Sequence, residues 1–192
     1  LRLPMRFWAL PVAVTLIGAI TLPRAPSLPY WATLLLGMAV LLAVVLVALY
    51  YSLDPQATGY RRARAALNLV CYAVALVLFL LIPGAWPEGS RAAVLGGVAM
   101  LLALELLRGT QARVTLVALY AFIVGAVVAQ VAFGLLLTGL SPLSASLLLL
   151  VLFYLLVSLT WQTLQDRITR RVLVEYAAVA LVALLIIILL SP

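Results

Sequence analysis

The run VTLVALYAFIVGAVVAQVAFGLLLTG, residues 114–139, contains no charged side chain. A helix needs about 20 consecutive apolar residues to cross the hydrocarbon core of a bilayer. This run therefore predicts a transmembrane helix. The whole chain of 192 residues has the same character, because 68% of it is hydrophobic and only 9% is charged, whereas soluble domains carry about 25% charged residues. The composition predicts an all-α, polytopic helical bundle in a membrane.

Seven apolar segments, divided by Pro, Gly or Arg clusters, predict seven spans in a single transmembrane domain over residues 1–192. They cover about 7–23, 28–52, 66–83, 91–107, 114–139, 144–164 and 172–190. The first is short, contains Pro11 and follows two arginines, so a signal peptide is the alternative interpretation. The lack of a small-residue cleavage site after it favours a retained span.

The arginines predict the orientation of these spans, since basic residues collect in cytoplasmic loops. The chain has 12 basic residues, all of them arginines. Seven spans place ten on the side of the N-terminus: Arg2, Arg6, Arg61, Arg62, Arg64, Arg108, Arg113, Arg167, Arg170 and Arg171. Only Arg24 and Arg91 fall on the other side. This partition predicts a cytoplasmic N-terminus and an outer C-terminus, in a prokaryotic-type inner or plasma membrane.

The residue types that are missing exclude several functions. There is no lysine and no histidine, so retinal or PLP Schiff bases and histidine-ligated haem or zinc are excluded. Cys71 is the only cysteine, which rules out an intramolecular disulfide. We therefore expect no cofactor and no metal site, although a pigment or quinone held without a histidine ligand stays open. The loops are too short for a soluble catalytic or nucleic-acid-binding domain, so the basic charge indicates lipid contact and topology.

Three uncharged polar residues lie deep in predicted spans and are candidates for binding or for helix packing. Gln130 is near the middle of the fifth span, Tyr154 lies at a similar depth in the sixth, and Asn68 lies towards the inner end of the third. A polar group in hydrocarbon needs a partner on another helix or on a ligand, and hydrogen bonding between helices is the favoured interpretation. If a ligand is bound instead, the three side chains should converge on one cavity.

Charged residues near the predicted cytoplasmic ends have spacings of three or four, which places them on one face of a helix. The interfacial pairs are Glu105 with Arg108, Asp166 with Arg170, and Arg171 with Glu175. Neutralisation of charge near the headgroups explains them without catalysis. Small residues also recur at spacing four, which is typical of close helix packing: Ala92 with Gly96, Ala93 with Gly97, and Ala121 with Gly125.

No catalytic constellation is present in the sequence. The favoured hypothesis is a non-catalytic integral membrane subunit or scaffold of a larger assembly, whose partners are lipids and other membrane chains and not nucleic acid. The alternative is a small transporter or membrane substrate-binding component for an apolar or neutral molecule, with Gln130, Tyr154 and Asn68 lining its cavity. A third hypothesis is an interfacial lipid-modifying enzyme that uses Asp166 or Glu175 as a base.

Overall fold

A computed structural model describes residues 8–24, 27–52, 59–82, 87–110, 113–138 and 140–165, and the structural statements below concern these residues. They contain six α-helices and no strand, which confirms the all-α prediction for this part of the chain. The helices are α1 (Ala9–Thr21), α2 (Leu28–Tyr51), α3 (Tyr60–Leu81), α4 (Glu88–Leu107), α5 (Val114–Leu136) and α6 (Pro142–Leu164).

Five of these helices, α2 to α6, are long and apolar enough to cross a membrane. The shortest, α4, has 20 residues and is about 30 Å long, which matches the hydrocarbon thickness. α3 begins at Tyr60, six residues before the predicted span, because arginine is a good helix former and the helix continues back through Arg64, Arg62 and Arg61.

The first predicted span differs from the structure in its length. α1 has only 13 residues and is about 20 Å long, which is short of the hydrocarbon thickness. The chain tightens into a 3₁₀ turn at Leu22–Arg24, where Pro23 has no N–H with which to continue the helical hydrogen bonding. The seventh predicted span, 172–190, lies outside the described residues.

Local sequence signals explain the start of α6. Pro142 is its first residue, where the fixed φ of proline favours a helix and the missing N–H has no intrahelical partner to lose. Ser141 caps the helix, since its Oγ accepts a hydrogen bond of 3.2 Å from the Ser144 N–H. These two residues together define where the helix begins.

The core of the bundle lies around α4, which packs against α1, α3, α5 and α6. α4 and α5 form the closest pair. α2 packs on α1 and α3 but buries only Val45 and Leu49. Most of the α2 surface therefore faces outward among the described residues.

Candidate functional site

The C-terminal end of α4 carries a buried ion pair. The Arg108 Nη1 atom lies 3.1 Å from Glu105 Oε1 and 3.4 Å from Oε2. Only 1% of the Glu105 side chain and 9% of the Arg108 side chain are exposed. The structure thus brings together the pair that the spacing of three indicated, and it buries both side chains against neighbouring helices.

Two further helix ends meet this ion pair. The second terminal nitrogen of Arg108, Nη2, donates a hydrogen bond of 3.0 Å to Ser52 Oγ, at the C-terminal cap of α2. Arg64, in the second turn of α3, donates from its Nη2 to the Leu106 carbonyl oxygen at 2.8 Å. A cation at the C-terminal carbonyls of a helix is favourable, because the helix dipole is negative there. We call Ser52, Arg64, Glu105 and Arg108 the α4-end cluster.

Burial is the main electrostatic effect on Arg108. It lowers the pKa of the Arg108 guanidinium from its ordinary value, while the neighbouring Glu105 carboxylate opposes that shift. Arginine keeps its charge in proteins, so Arg108 needs its carboxylate partner. Both Glu105 oxygens lie within 3.4 Å of Arg108 Nη1, and the contacts of the cluster join α2, α3 and α4.

Gly109 follows α4 and lets two side chains approach it closely. A Cβ atom at this position would lie 2.6 Å from Arg64 Nη2 and 2.8 Å from Trp161 Cη2. The sequence indicates only a turn here. In the structure, the glycine also leaves room for Arg64 to reach the α4 carbonyls and for α6 to pack beside them.

A cavity of about 270 Å³ opens between α3 and α6, next to the α4-end cluster. Leu106, whose carbonyl binds Arg64, contributes to its wall. The cavity is otherwise lined mainly by uncharged polar and aromatic residues, among them Asn68, Tyr72, Tyr154, Ser158, Trp161 and Gln162. We call it the α3–α6 cavity.

Aromatic contacts shape one side of this cavity. The Tyr72 ring centroid lies 5.6 Å from that of Tyr154 and 6.0 Å from that of Phe153, both in edge-to-face geometry, which is favourable for aromatic pairs. The Tyr72 and Tyr154 rings and the Asn68 amide thus give the cavity wall both aromatic and hydrogen-bonding surface. The described part of the chain holds no group of three or more His, Cys, Asp or Glu residues that could bind a metal ion.

The structure brings together two of the three polar residues that the sequence singled out. Asn68 and Tyr154 line the same cavity, whereas Gln130 is exposed on the surface of α5. α5 buries Val124, Val128 and Ala132 at spacing four. Gln130 is two residues from Val128, about 200° around the helix, and so lies on the opposite side.

Four other residues that the sequence indicated, Asp166, Arg170, Arg171 and Glu175, lie outside the described residues. Ser52, Tyr72 and Trp161 were not predicted as site residues from the sequence, and Arg64 was predicted only as one of the cytoplasmic arginines. The sequence did contain a signal for Arg64, because Arg64 belongs to the arginine cluster of residues 61–64. This cluster lies in the first turns of α3, ahead of the apolar run.

The small-residue pairs face two different environments. Ala92, Gly96, Ala121 and Gly125 are buried, and a Cβ atom at Gly96 would lie 2.6 Å from the Gly125 carbonyl oxygen. These residues let the backbones of α4 and α5 touch. Ala93 and Gly97 are exposed, and nothing lies within 4 Å of a Cβ atom built at Gly97.

These features define the class: an all-α protein whose described part contains five helices that could span a membrane. The chain belongs to the family described as "Protein of unknown function (DUF5656)", which matches residues 3–190. No curated protein and no solved structure matches it.

Proposed function

We propose that the protein is a non-catalytic integral membrane subunit or scaffold that binds another membrane helix on the outer face of α4. The supporting observation is a stripe of small residues at spacing four, Gly89, Ala93 and Gly97, all exposed. Cβ atoms built at either glycine would have no neighbour within 4 Å. Such surfaces let two helices approach closely in a membrane, where van der Waals packing drives association. We call this surface the α4 stripe.

The neighbouring face of the same helix supports this interpretation. One residue away from the stripe, Gly96 already makes a close backbone contact with α5 through the same kind of surface. α4 thus carries two small-residue faces, of which only one is occupied by the described part of the chain. Glu105, the one acid buried among the described residues, is held by Arg108, which favours a structural over a catalytic role.

Replacing Gly97 by leucine tests the proposal. The bulky side chain should weaken association with the partner helix about tenfold, because overpacking a close contact costs typically 1–3 kcal/mol. Native mass spectrometry of the protein extracted from its own membrane in mild detergent would report the fraction of chain in complex, whether with another protein or with a second copy.

Gly134→Leu is the matched control, since Gly134 is also exposed in a helix and a Cβ atom there would meet nothing within 4 Å. It should leave the complex unchanged. Equal loss of complex in both variants, or a wild-type chain that is extracted only as a monomer, would contradict the proposal.

The same proposal includes seven crossings, a cytoplasmic N-terminus, an outer C-terminus and a prokaryotic-type inner or plasma membrane. The ten-to-two partition of arginines supports this orientation. The contact between Arg64 and the Leu106 carbonyl supports it further, since it places two of the basic clusters at the same end of the bundle. The short α1 would cross with local thinning of the bilayer around it.

A second candidate function is a membrane component that binds an apolar or neutral molecule, and the α3–α6 cavity specifically favours it. Asn68 and Tyr154 come from helices distant in sequence and line one opening. Its volume of about 270 Å³ is near the lower end of the roughly 300–1,000 Å³ that is usual for small-molecule sites. The aromatic and amide lining suits a ring-containing molecule with one or two hydrogen-bonding groups.

Asn68→Leu should reduce the amount of a co-purifying small molecule up to about tenfold, because one hydrogen bond contributes about 0.5–1.5 kcal/mol. Mass spectrometry of organic extracts from the purified protein would measure it. Gln130→Leu removes a deep amide that does not line the cavity and should have no effect. A bound molecule that responds equally to both variants, or to neither, would count against this function.

A further inference from the structure

A groove of about 520 Å³ lies between α2 and α3. Its walls are formed by small and branched apolar residues of both helices: Ala43, Val44, Val47, Ala48, Ala63 and Ala66. Val44 and Val47 are 51% and 55% exposed, so the groove opens outward. The α3 side chains that line the groove include Ala63 and Ala66, which are too small to fill the space between the two helices. We call it the α2–α3 groove.

The dimensions of the groove match one leaflet of a bilayer. Ala43 and Tyr51, which line the groove on α2, are eight positions apart, a distance of about 12 Å along the helix axis. One leaflet contributes about 15 Å to a hydrocarbon core of roughly 30 Å. An alkyl chain lying in the groove would therefore run the depth of a leaflet.

A tyrosine and an arginine stand at one end of the groove. Tyr51, Gly59 and Arg62 line the groove there, and the side chains of Tyr51 and Arg62 are exposed. No acidic residue lies in the first turn of α3 to offset Arg62, and no salt bridge to it occurs among the described residues. An apolar trough that ends at an arginine with no ion-pair partner among the described residues is complementary to a molecule with an alkyl chain and an anionic head.

We propose that the α2–α3 groove binds one anionic diacyl phospholipid from the leaflet at the Arg62 end. One acyl chain lies along Val44, Val47 and Ala66, and the phosphate accepts hydrogen bonds from the Arg62 guanidinium. The Tyr51 hydroxyl stands at the same depth. This site includes no residue of the α4 stripe or of the α3–α6 cavity, so the lipid-binding proposal does not depend on the proposed function.

The charge requirement is tested by titrating the detergent-purified full chain with phosphatidylglycerol or phosphatidylcholine and counting bound lipids by native mass spectrometry. Wild-type protein should hold one phosphatidylglycerol more tightly than phosphatidylcholine. Arg62→Gln should lower the affinity for phosphatidylglycerol about fivefold, the effect of one arginine near an anionic surface. It should lower the affinity for phosphatidylcholine less, because the choline ammonium offsets the charge of that lipid's phosphate. Arg61→Gln is the control, because Arg61 is an exposed neighbour that does not line the groove.

The shape requirement is tested with a second matched pair. Ala66→Phe fills the groove and should remove both lipids, whereas Ala65→Phe adds the same ring to an exposed position outside the groove and should remove neither. If Arg61→Gln and Arg62→Gln lowered the affinity for phosphatidylglycerol equally, the site would be overturned, because the lipid would then respond only to the total positive charge of the surface. Displacement of phosphatidylglycerol by millimolar inorganic phosphate, with no effect of Ala66→Phe, would overturn it in favour of a soluble anion.

Discussion

Gly96→Ala is expected to destabilise the protein by about 2 kcal/mol more than the same substitution at Gly134. The added methyl would lie 2.6 Å from both the Ala129 Cβ atom and the Gly125 carbonyl oxygen. Neither atom is the flexible end of a side chain, so α4 and α5 must move apart along their contact. Unfolding of the purified protein by SDS titration, followed by circular dichroism, measures the difference.

The pairing with Gly134 isolates the steric effect. Both glycines lie inside helices, so each gains about 1 kcal/mol of helix propensity on replacement by alanine, and that gain cancels in the comparison. Gly125→Ala should behave like Gly96→Ala, because its Cβ would lie 2.7 Å from the Gly96 carbonyl oxygen. Equal stabilities of the Gly96→Ala and Gly134→Ala proteins would show that the two helices are not in backbone contact.

The small-residue spacing predicted close helix packing, and the structure shows which partners are involved. Ala92, Gly96, Ala121 and Gly125 all lie where α4 meets α5. The sequence could not separate this face from the one that carries Gly97, since both have the same spacing. The rotation of α4 in the bundle decides which face is buried, and that rotation depends on all of its neighbours at once.

Only one contact of the α4-end cluster could be predicted from residues close together in the sequence. A spacing of three was enough to pair Glu105 with Arg108. The bonds from Arg108 to Ser52 and from Arg64 to Leu106 join residues 56 and 42 positions apart. The periodicity of the sequence does not predict such contacts, because they form only when α2, α3 and α4 pack together.

Hydrophobicity located the helices well but said less about their lengths and rotations. Residues 7–23 are apolar enough for a span, yet α1 ends at Thr21 because Pro23 stops the helical ladder. Depth alone grouped Gln130 with Tyr154 and Asn68. Because Val128 is buried, Gln130 lies on the surface of α5. The position of a residue along a predicted span does not show which side of the helix it lies on.

Glu105→Gln is expected to destabilise the protein by about 3 kcal/mol, because it leaves a nearly buried guanidinium without its carboxylate. Arg108 has an exposed fraction of only 9%, so water compensates little for the loss of the Glu105 charge. Arg64, whose guanidinium binds the neighbouring carbonyl of Leu106, adds a second positive charge. The SDS titration described for Gly96 measures this loss as well.

Glu88→Gln is the control for this substitution, since Glu88 is exposed at the other end of the same helix. It should change the stability by less than about 1 kcal/mol, the usual contribution of an exposed acid in the first turn of a helix. Adding Arg108→Met to Glu105→Gln should recover most of the loss, because replacing one charge of a buried pair leaves the other uncompensated and replacing both does not. A double variant as unstable as Glu105→Gln alone would contradict this account of the ion pair.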